Sequence, residues 1–257
     1  MIAPHAKQDL MSAQRNGFTT RVRMSSLLEK WHPVTRDFGL IQAPMPQLLS
    51  EFEDWQRSFG VEYLRTEIFT SLADAFESLL PLSNSKTRRL FVATRSDWVV
   101  CFQNGIQGSD PFPAMSYLAQ RMEVLAMRVC CTPDDAKYPA VIWEVYAPEV
   151  RGGCPPLGYR RSIGASDDGG RWVFEESGER FPFEAVERYT SRRKRDRFTR
   201  ETLGEYLHHF GIELFTDAFL CIDATTSAVR LQRVTKISSS PEFTLDQVTA
   251  GLPWRRD

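Results

Sequence analysis

Histidine is scarce in this sequence, and the familiar motifs of nucleophilic catalysis are missing. Only four of the 257 residues are histidines. The chain has no Gly-x-Ser-x-Gly motif, and Gly105 and Gly108 are not followed by the rest of a phosphate-binding loop. With so few histidines, a Ser-His or Cys-His pair would have to use His208 or His209. These patterns assign no catalytic residue, no cofactor and no metal ligand, and we expect a non-enzymatic protein.

Long apolar runs and an export signal are missing as well. The longest apolar runs, such as Leu90 to Ala93, have the length of a strand, whereas roughly 18 to 20 apolar residues are needed to cross a bilayer. The first 23 residues lack the apolar centre of a secretory signal. The five cysteines make an odd number, which favours reduced thiols. We therefore expect a soluble, cytoplasmic protein without membrane insertion.

The charge is nearly balanced, and the composition is that of a folded protein. Lys and Arg number 32 and Asp and Glu number 33, for a formal net charge of -1. Such a chain has no global field to attract nucleic acid or anionic lipid. With 42% hydrophobic and 12% aromatic residues it can build a large core.

Local patterns predict an α+β fold with a mixed, largely antiparallel sheet flanked by helices. Capping, stop and periodicity signals predict helices that begin at Ser26, Pro46, Ser71 and Asp110–Pro111, with a further helix that Gly211 ends. β-branched and aromatic runs predict strands at Val61–Phe69, Leu90–Thr94, Trp98–Phe102, Val124–Cys131, Ala140–Tyr146, Tyr159–Ala165, Arg171–Glu175, Phe219–Asp223 and Val229–Val234. The last two are expected to pair with each other.

The same patterns predict the domain organisation. Residues 1–23 are expected to be a disordered extension, and both Met1 and Met24 stay open as the natural start. Residues 24–236 form the α+β domain, with a sub-boundary near 151–158, where glycine and proline accumulate. Residues 237–257 are expected to be a loose C-terminal tail. The oligomeric state stays open.

One basic segment is the first candidate for partner binding. It comprises Arg192, Arg193, Lys194, Arg195 and Arg197, between Tyr189 and Phe198. Such a run can hold phosphate backbones with an aromatic ring beside them. It can also face solvent or an acidic protein partner, and the balanced charge of the chain favours this second interpretation.

Acidic residues are the second candidate. Asp134 followed by Glu144 resembles the acidic pair of restriction-type nucleases, but Tyr146 stands where their lysine is expected. Asp167 and Asp168 precede two glycines, which is typical of a hairpin turn and could also coordinate a cation.

A helical pair and the tryptophans complete the candidates. Glu205 and His208 have the i, i+3 spacing of carboxylate-histidine metal sites, but a second matching helix is missing, so a polar helix face is favoured. The tryptophans at 55, 98, 143 and 172 fall on apolar positions and are expected in the core.

Two segments carry a resemblance. Thr94–Gly105 and Ala165–Ser177, which includes Asp-Asp-Gly-Gly-Arg-Trp-Val-Phe, are similar to segments of bacterial cytoplasmic proteins of the toxin-immunity type. The similarity covers residues 38–215 and brings no catalytic residue. It implies a protein that binds and neutralises a toxin.

Three functions follow as hypotheses. The first is a non-enzymatic interaction protein of the immunity type, with a protein partner bound by residues Glu144, Asp167, Asp168, Arg192, Arg193, Lys194, Arg195 and Arg197. The second is a metal-dependent hydrolase or nuclease that uses some of the acidic candidates. The third is nucleic-acid binding through Arg192 to Arg197.

Overall fold

A computed structural model describes residues 26–67, 69–133, 135–148, 158–216, 218–220, 222–223, 227–235 and 240–254. The expected disordered extension over 1–23 lies outside these residues, as do Asp134, Cys154 and Cys221.

An antiparallel sheet of nine strands forms the centre of the fold. In chain order the strands of the protein are β1 Asp37–Gln42, β2 Tyr63–Thr66, β3 Leu82–Ser83, β4 Arg88–Ala93, β5 Trp98–Gln103, β6 Ala126–Cys131, β7 Ala140–Tyr146, β8 Tyr159–Asp167, β9 Trp172–Gly178, β10 Ala228–Arg233 and β11 Glu242–Phe243. Across the large sheet their order is β2-β10-β4-β5-β1-β6-β7-β8-β9, while β3 and β11 form a separate pair. The predicted α+β class is confirmed.

Helices lie on both faces of the sheet. They are α1 Ser26–Lys30, α2 Met45–Arg57, α3 Leu72–Glu77, α4 Phe112–Met122, α5 Arg200–His208 and α6 Leu245–Thr249, with 3-10 helices at Val34–Arg36, Val186–Thr190, Lys194–Asp196 and Leu252–Trp254. Helix α3 begins as predicted, because the Ser71 hydroxyl accepts the backbone N–H of Asp74. None of the helices in the described ranges has both the length and the apolar character that crossing a membrane requires.

Alternation along the strands divides the core in two. On the first face, Phe38, Trp98 and Trp143 pack with residues of α1, α3 and α5. On the second face, Ile41 and Phe91 pack under α2 and α4. The predicted alternation in β7 is confirmed on the first face, where Trp143 and its i+2 neighbour are fully buried.

The predicted final strand pair is wrong. Phe219 and Leu220 lie in a turn rather than in a strand, and β10 pairs instead with β2 and β4. Both apolar residues are buried in the core of the first face. Their apolar character therefore reflects tertiary packing and not a strand.

One smaller expectation also needs correction. Asp110 does not cap α4: it has φ 45°, the cap position is Pro111, and the Asp110 carboxylate lies 3.1 Å from the Lys86 ammonium. The expected loose tail over 237–257 contains β11 and α6 among its described residues. Helix α6 has a full capping box between Thr244 and Gln247.

Candidate functional site

The basic segment is a surface loop beside the end of the sheet. Its 3-10 helix contacts β8 and β9. The Arg197 guanidinium lies over the Phe174 ring, 5.6 Å from its centroid, and its Nε donates to the Ser191 carbonyl at 2.8 Å. Arg195 lies 3.6 Å from its neighbour Asp196. The arginines of this segment that are exposed are Arg192, Arg193 and Arg195.

Asp167 and Asp168 serve the hairpin between β8 and β9. The Asp167 carboxylate accepts the backbone N–H of Gly170 at 2.6 Å, and the Asp168 N–H donates to the Arg171 carbonyl at 2.9 Å. Gly170 has φ 97°, a conformation that favours glycine. These contacts are the turn chemistry that the sequence predicts.

Glu144 lies inside the sheet and not at an edge, because β7 is flanked by β6 and β8. Its side chain is 12% exposed, accepts a hydrogen bond from the Tyr146 hydroxyl at 2.6 Å and lies 3.4 Å from Arg128. Arg128 also forms a double hydrogen bond to Asp37. Alternation places Glu144 and Asp167 on opposite faces of the sheet, so the two acidic candidates do not meet.

The residues proposed for metal binding or nucleophilic chemistry have other contacts. Glu205 pairs with Arg188 at 2.8 Å, and His208 pairs with Glu213. Burial raises the pKa of Cys101 to about 11. Within the described part of the chain, no three His, Cys, Asp or Glu residues are grouped as a metal site requires.

A buried polar network, which the sequence patterns do not predict, holds the segment after β9. Arg161 is 1% exposed and donates to Glu184 at 2.7 and 2.9 Å. Glu184 also accepts from the Tyr189 hydroxyl at 2.8 Å, and Tyr189 lies 2.9 Å from the Tyr206 hydroxyl. Each charge has a close partner, as a stable buried pair requires. The network is therefore a structural feature that fixes this segment on β8.

An exposed aromatic cluster joins α2 to α4. It consists of Trp55, Phe59 and Tyr117, and we call it the aromatic cluster. The Trp55 ring stacks on Tyr117 with centroids 4.4 Å apart, and Phe59 meets the Trp55 ring edge-on at 6.2 Å. Phe59 is 70% exposed and Tyr117 is 37% exposed. Trp55 also contacts the core residue Phe52, so the cluster is anchored on a rigid base.

A polar cavity of about 250 Å³ opens beside this cluster, and we call it the cationic cavity. It lies between α2, the start of α4 and the ends of four strands. Residues that line it include Trp55, Tyr63, Lys86, Arg89, Gln103 and Arg233. Because Trp55 belongs to both features, the aromatic cluster and the cationic cavity form one continuous surface.

The register of the strands explains why Arg89 and Arg233 line the same cavity. Arg233 pairs with Tyr63 of β2, and Arg89 pairs with Gln103 of β5. Arg89 precedes the core residue Phe91 by two positions, so it projects to the same second face. Four neighbouring strands thus deliver their side chains to one end of that face.

The two arginines are incompletely compensated. The Arg89 guanidinium lies 5.0 Å from the centroid of the Phe52 ring, and its Nε donates to the Tyr63 hydroxyl at 3.4 Å. Arg89 Nη1 and Arg233 Nε are buried and have no hydrogen-bond partner among the described residues. Asp110, on the cavity wall, pairs with Lys86. Three cations therefore face one carboxylate in this cavity.

Sequence reasoning did not identify this surface. The only signal was an arginine two positions before a buried strand residue, which places it on a core-facing side. None of the predicted partner-binding residues lines the cavity, and their role stays a prediction.

The combined surface brings aromatic and cationic side chains together. It offers flat aromatic contact area and two guanidinium groups, each with one nitrogen that has no partner among the described residues. Aromatic residues and arginine are the side chains that contribute most to recognition energies. Comparison with family models, with curated proteins and with solved structures finds no match.

Proposed function

We propose that this chain is a non-enzymatic interaction protein that binds a protein partner through the aromatic cluster, and that the partner is a toxin which it neutralises. The observation that carries the proposal is the stack of Trp55 on Tyr117 with Phe59 exposed beside it. Exposed aromatic residues on a rigid base are the typical anchors of protein interfaces.

The toxin-immunity assignment rests on the resemblance of Thr94–Gly105 and Ala165–Ser177. Blocking a toxin requires shape, aromatic anchors and charge complementarity, and none of these imposes a sequence motif. The aromatic cluster supplies the aromatic anchors, and the cationic cavity on the same surface supplies charge for an acidic partner.

The hypothesis of a metal-dependent hydrolase or nuclease ranks lower. Glu144 and Asp167 lie on opposite faces of the sheet, and Asp167 accepts a hydrogen bond within its own turn. Nucleic-acid binding through Arg192 to Arg197 also ranks lower. Asp196 lies within that segment, and the Arg197 guanidinium is held by Phe174 and Ser191.

Co-expression with the product of the neighbouring gene tests the proposal. We expect that product to arrest growth when expressed alone, and growth to be restored when this chain is present. A Phe59→Ala/Tyr117→Ala double variant should bind the product about tenfold more weakly or worse, because it removes two exposed anchors. Its free energy of unfolding should fall by only about 1 kcal/mol, the usual contribution of the aromatic stack between Tyr117 and Trp55.

Tyr138→Ala provides the matched control. Tyr138 is 55% exposed, as an aromatic residue of the β6–β7 connection outside the aromatic cluster. Its substitution should leave both growth rescue and binding unchanged. A harmless neighbouring product with no association, or equal binding by the double variant and wild type, would overturn the proposal.

A further inference from the structure

We infer that the cationic cavity receives a carboxylate from the partner, the side chain of an Asp or Glu that enters beside Trp55. This inference rests on the proposed function, since it names the chemistry that the partner must present. Four observations support it: the charge of the cavity, its size, its position and the contrast with Arg161.

The net positive charge of the residues that line the cavity favours an anionic ligand. Arg89 Nη1 and Arg233 Nε are buried without an acceptor among the described residues. A buried donor without a partner costs free energy, and the cost is larger when the group is charged. Because both side chains line the cavity, an oxyanion that enters it would lie beside two guanidinium groups. Tyr63 and Gln103, which also line the cavity, offer further hydrogen-bonding groups.

The size of the cavity favours a side chain over a whole metabolite. Its volume of about 250 Å³ lies below the range of roughly 300 to 1,000 Å³ that is usual for small-molecule sites. A planar carboxylate matches the fork of an arginine in a bidentate contact. Asp110 on the same wall already neutralises Lys86, which leaves the two guanidinium groups for a single anionic group.

The position of the cavity points to a protein as the source of the carboxylate. Trp55 forms part of its wall and also stacks on Tyr117 in the aromatic cluster. A partner seated on the aromatic cluster would therefore hold its own side chains at the mouth of the cavity. An acidic residue at that place would become desolvated and paired, which is the arrangement of strong interfacial charge contacts.

Arg161 differs from the two arginines of the cavity, because carboxylates of the same chain compensate its buried charge. Arg161 donates to Glu184 and contacts Glu176, and its side chain is 1% exposed. In the part of the chain that the structure describes, neither Arg89 nor Arg233 of the cationic cavity has such a carboxylate partner, and the cavity leaves room for one from outside.

A thermal-shift titration with glutarate, a small dicarboxylate, tests the inference without the partner. We expect glutarate at tens of millimolar to raise the Tm of the full chain in a saturable way, by about 2–4 °C relative to sodium chloride of equal ionic strength. Arg233→Gln should abolish this rise. The variant should itself be at least as stable as wild type, because it removes a buried donor that has no partner.

Arg171→Gln is the matched control, since it removes the same charge from an exposed position in the β8–β9 hairpin. It should keep the full response to glutarate. If Arg233→Gln proves unstable, Lys86→Gln replaces it and should at least halve the response, because it leaves the Asp110 carboxylate uncompensated on the cavity wall, where it repels a second anion. A parallel titration with inorganic phosphate separates the two oxyanions.

No response of the wild type, or equal responses of wild type and Arg233→Gln, would overturn the inference. A response to phosphate without one to glutarate would overturn the carboxylate assignment. The co-expression experiment described above tests the interaction function separately from the acidic anchor. Growth rescue without any glutarate response would retain the interaction function and reject only the acidic anchor, whereas a glutarate response without rescue would reject the interaction function.

Discussion

At the scale of single residues, the buried ionisable side chains of this protein differ in how many hydrogen-bond partners their neighbours provide. Arg161 and Glu184 share short hydrogen bonds and have further partners around them. Arg89 and Arg233 each keep a buried nitrogen without a partner among the described residues. Uncompensated buried donors are uncommon in native proteins, and such nitrogens also occur at Trp31, Arg200 and Arg230. Arg89 and Arg233 differ from these residues because both of them line one cavity. This difference separates the structural network from the candidate site.

His32 gives a residue-scale prediction for the pH dependence of stability. Burial, with help from Arg36 and Arg200, lowers the pKa of His32 from 6.5 to about 4, against a smaller opposing effect of Asp135. Between pH 6.5 and 4, His32 is therefore protonated in the unfolded chain but neutral in the folded chain. As the pH falls through this window, His32 lowers the free energy of unfolding. At pH 4.5 this contribution amounts to roughly 2 kcal/mol.

Replacement of His32 by glutamine isolates that contribution. Urea denaturation at pH 7.5 and 4.5 should show that wild type loses roughly 2 kcal/mol more stability than His32→Gln. The comparison cancels the carboxylates, which titrate in both proteins. Identical losses in the two proteins would show that His32 is protonated in the folded state at pH 4.5.

At the scale of elements, α4 packs closely against β1 at Gly39. A Cβ atom at Gly39 would lie 2.5 Å from the Met115 sulfur, so only glycine allows this contact. Gly39→Ala should therefore lower the free energy of unfolding by about 1–3 kcal/mol, the usual cost of overpacking a core. Gly164→Ala is a milder control, because its Cβ would meet Ile142 at 3.3 Å.

A double variant identifies the mechanism of that destabilisation. In the Gly39→Ala background, Met115→Ala should cost less than it does in wild type, since it removes the clash as well as the packing. Urea denaturation of the four proteins gives this coupling directly. Strictly additive costs would show that Gly39 matters for another reason than its contact with Met115.

Elements with strong local signals were predictable from the sequence. The periodic run of α2, the Ser71 cap of α3 and the alternation of β7 depend on residues close together in the chain, and each was confirmed. The pairing partners of β10 were not predictable, because it lies between β2 and β4, which are more than a hundred residues away in sequence. Phe219 and Leu220 were misassigned because their burial comes from tertiary packing.

The candidate site escaped prediction for the same reason. Its residues come from α2, from the loop before β4, and from the ends of β2, β4, β5 and β10. No local spacing links Trp55 to Arg233, and only the sheet order brings them together. The basic run at Arg192 to Arg197 was conspicuous in sequence because its charges are contiguous, although contiguity says nothing about which charges lack partners.

At the scale of the whole molecule, the sheet is continuous across the segment where a sub-boundary was predicted. Strands β7 and β8 lie on either side of residues 151–158 and pair along seven positions, from Ala140 with Ser166 to Tyr146 with Tyr159. The core is continuous as well. Trp143 of β7 contacts the rings of Tyr206 and Phe210 from the later part of the chain.

This continuity predicts that the described part of the chain unfolds in a single cooperative transition. The Trp98 indole donates to the Phe210 carbonyl at 2.9 Å, and Trp143 packs on Tyr206, so neither half can lose its structure without exposing the core of the other. Urea unfolding followed by tryptophan fluorescence and by far-UV circular dichroism should give coincident curves. Two separated transitions, or a fluorescence change that precedes the loss of secondary structure, would show that the segment near 151–158 divides the protein into units with their own stability.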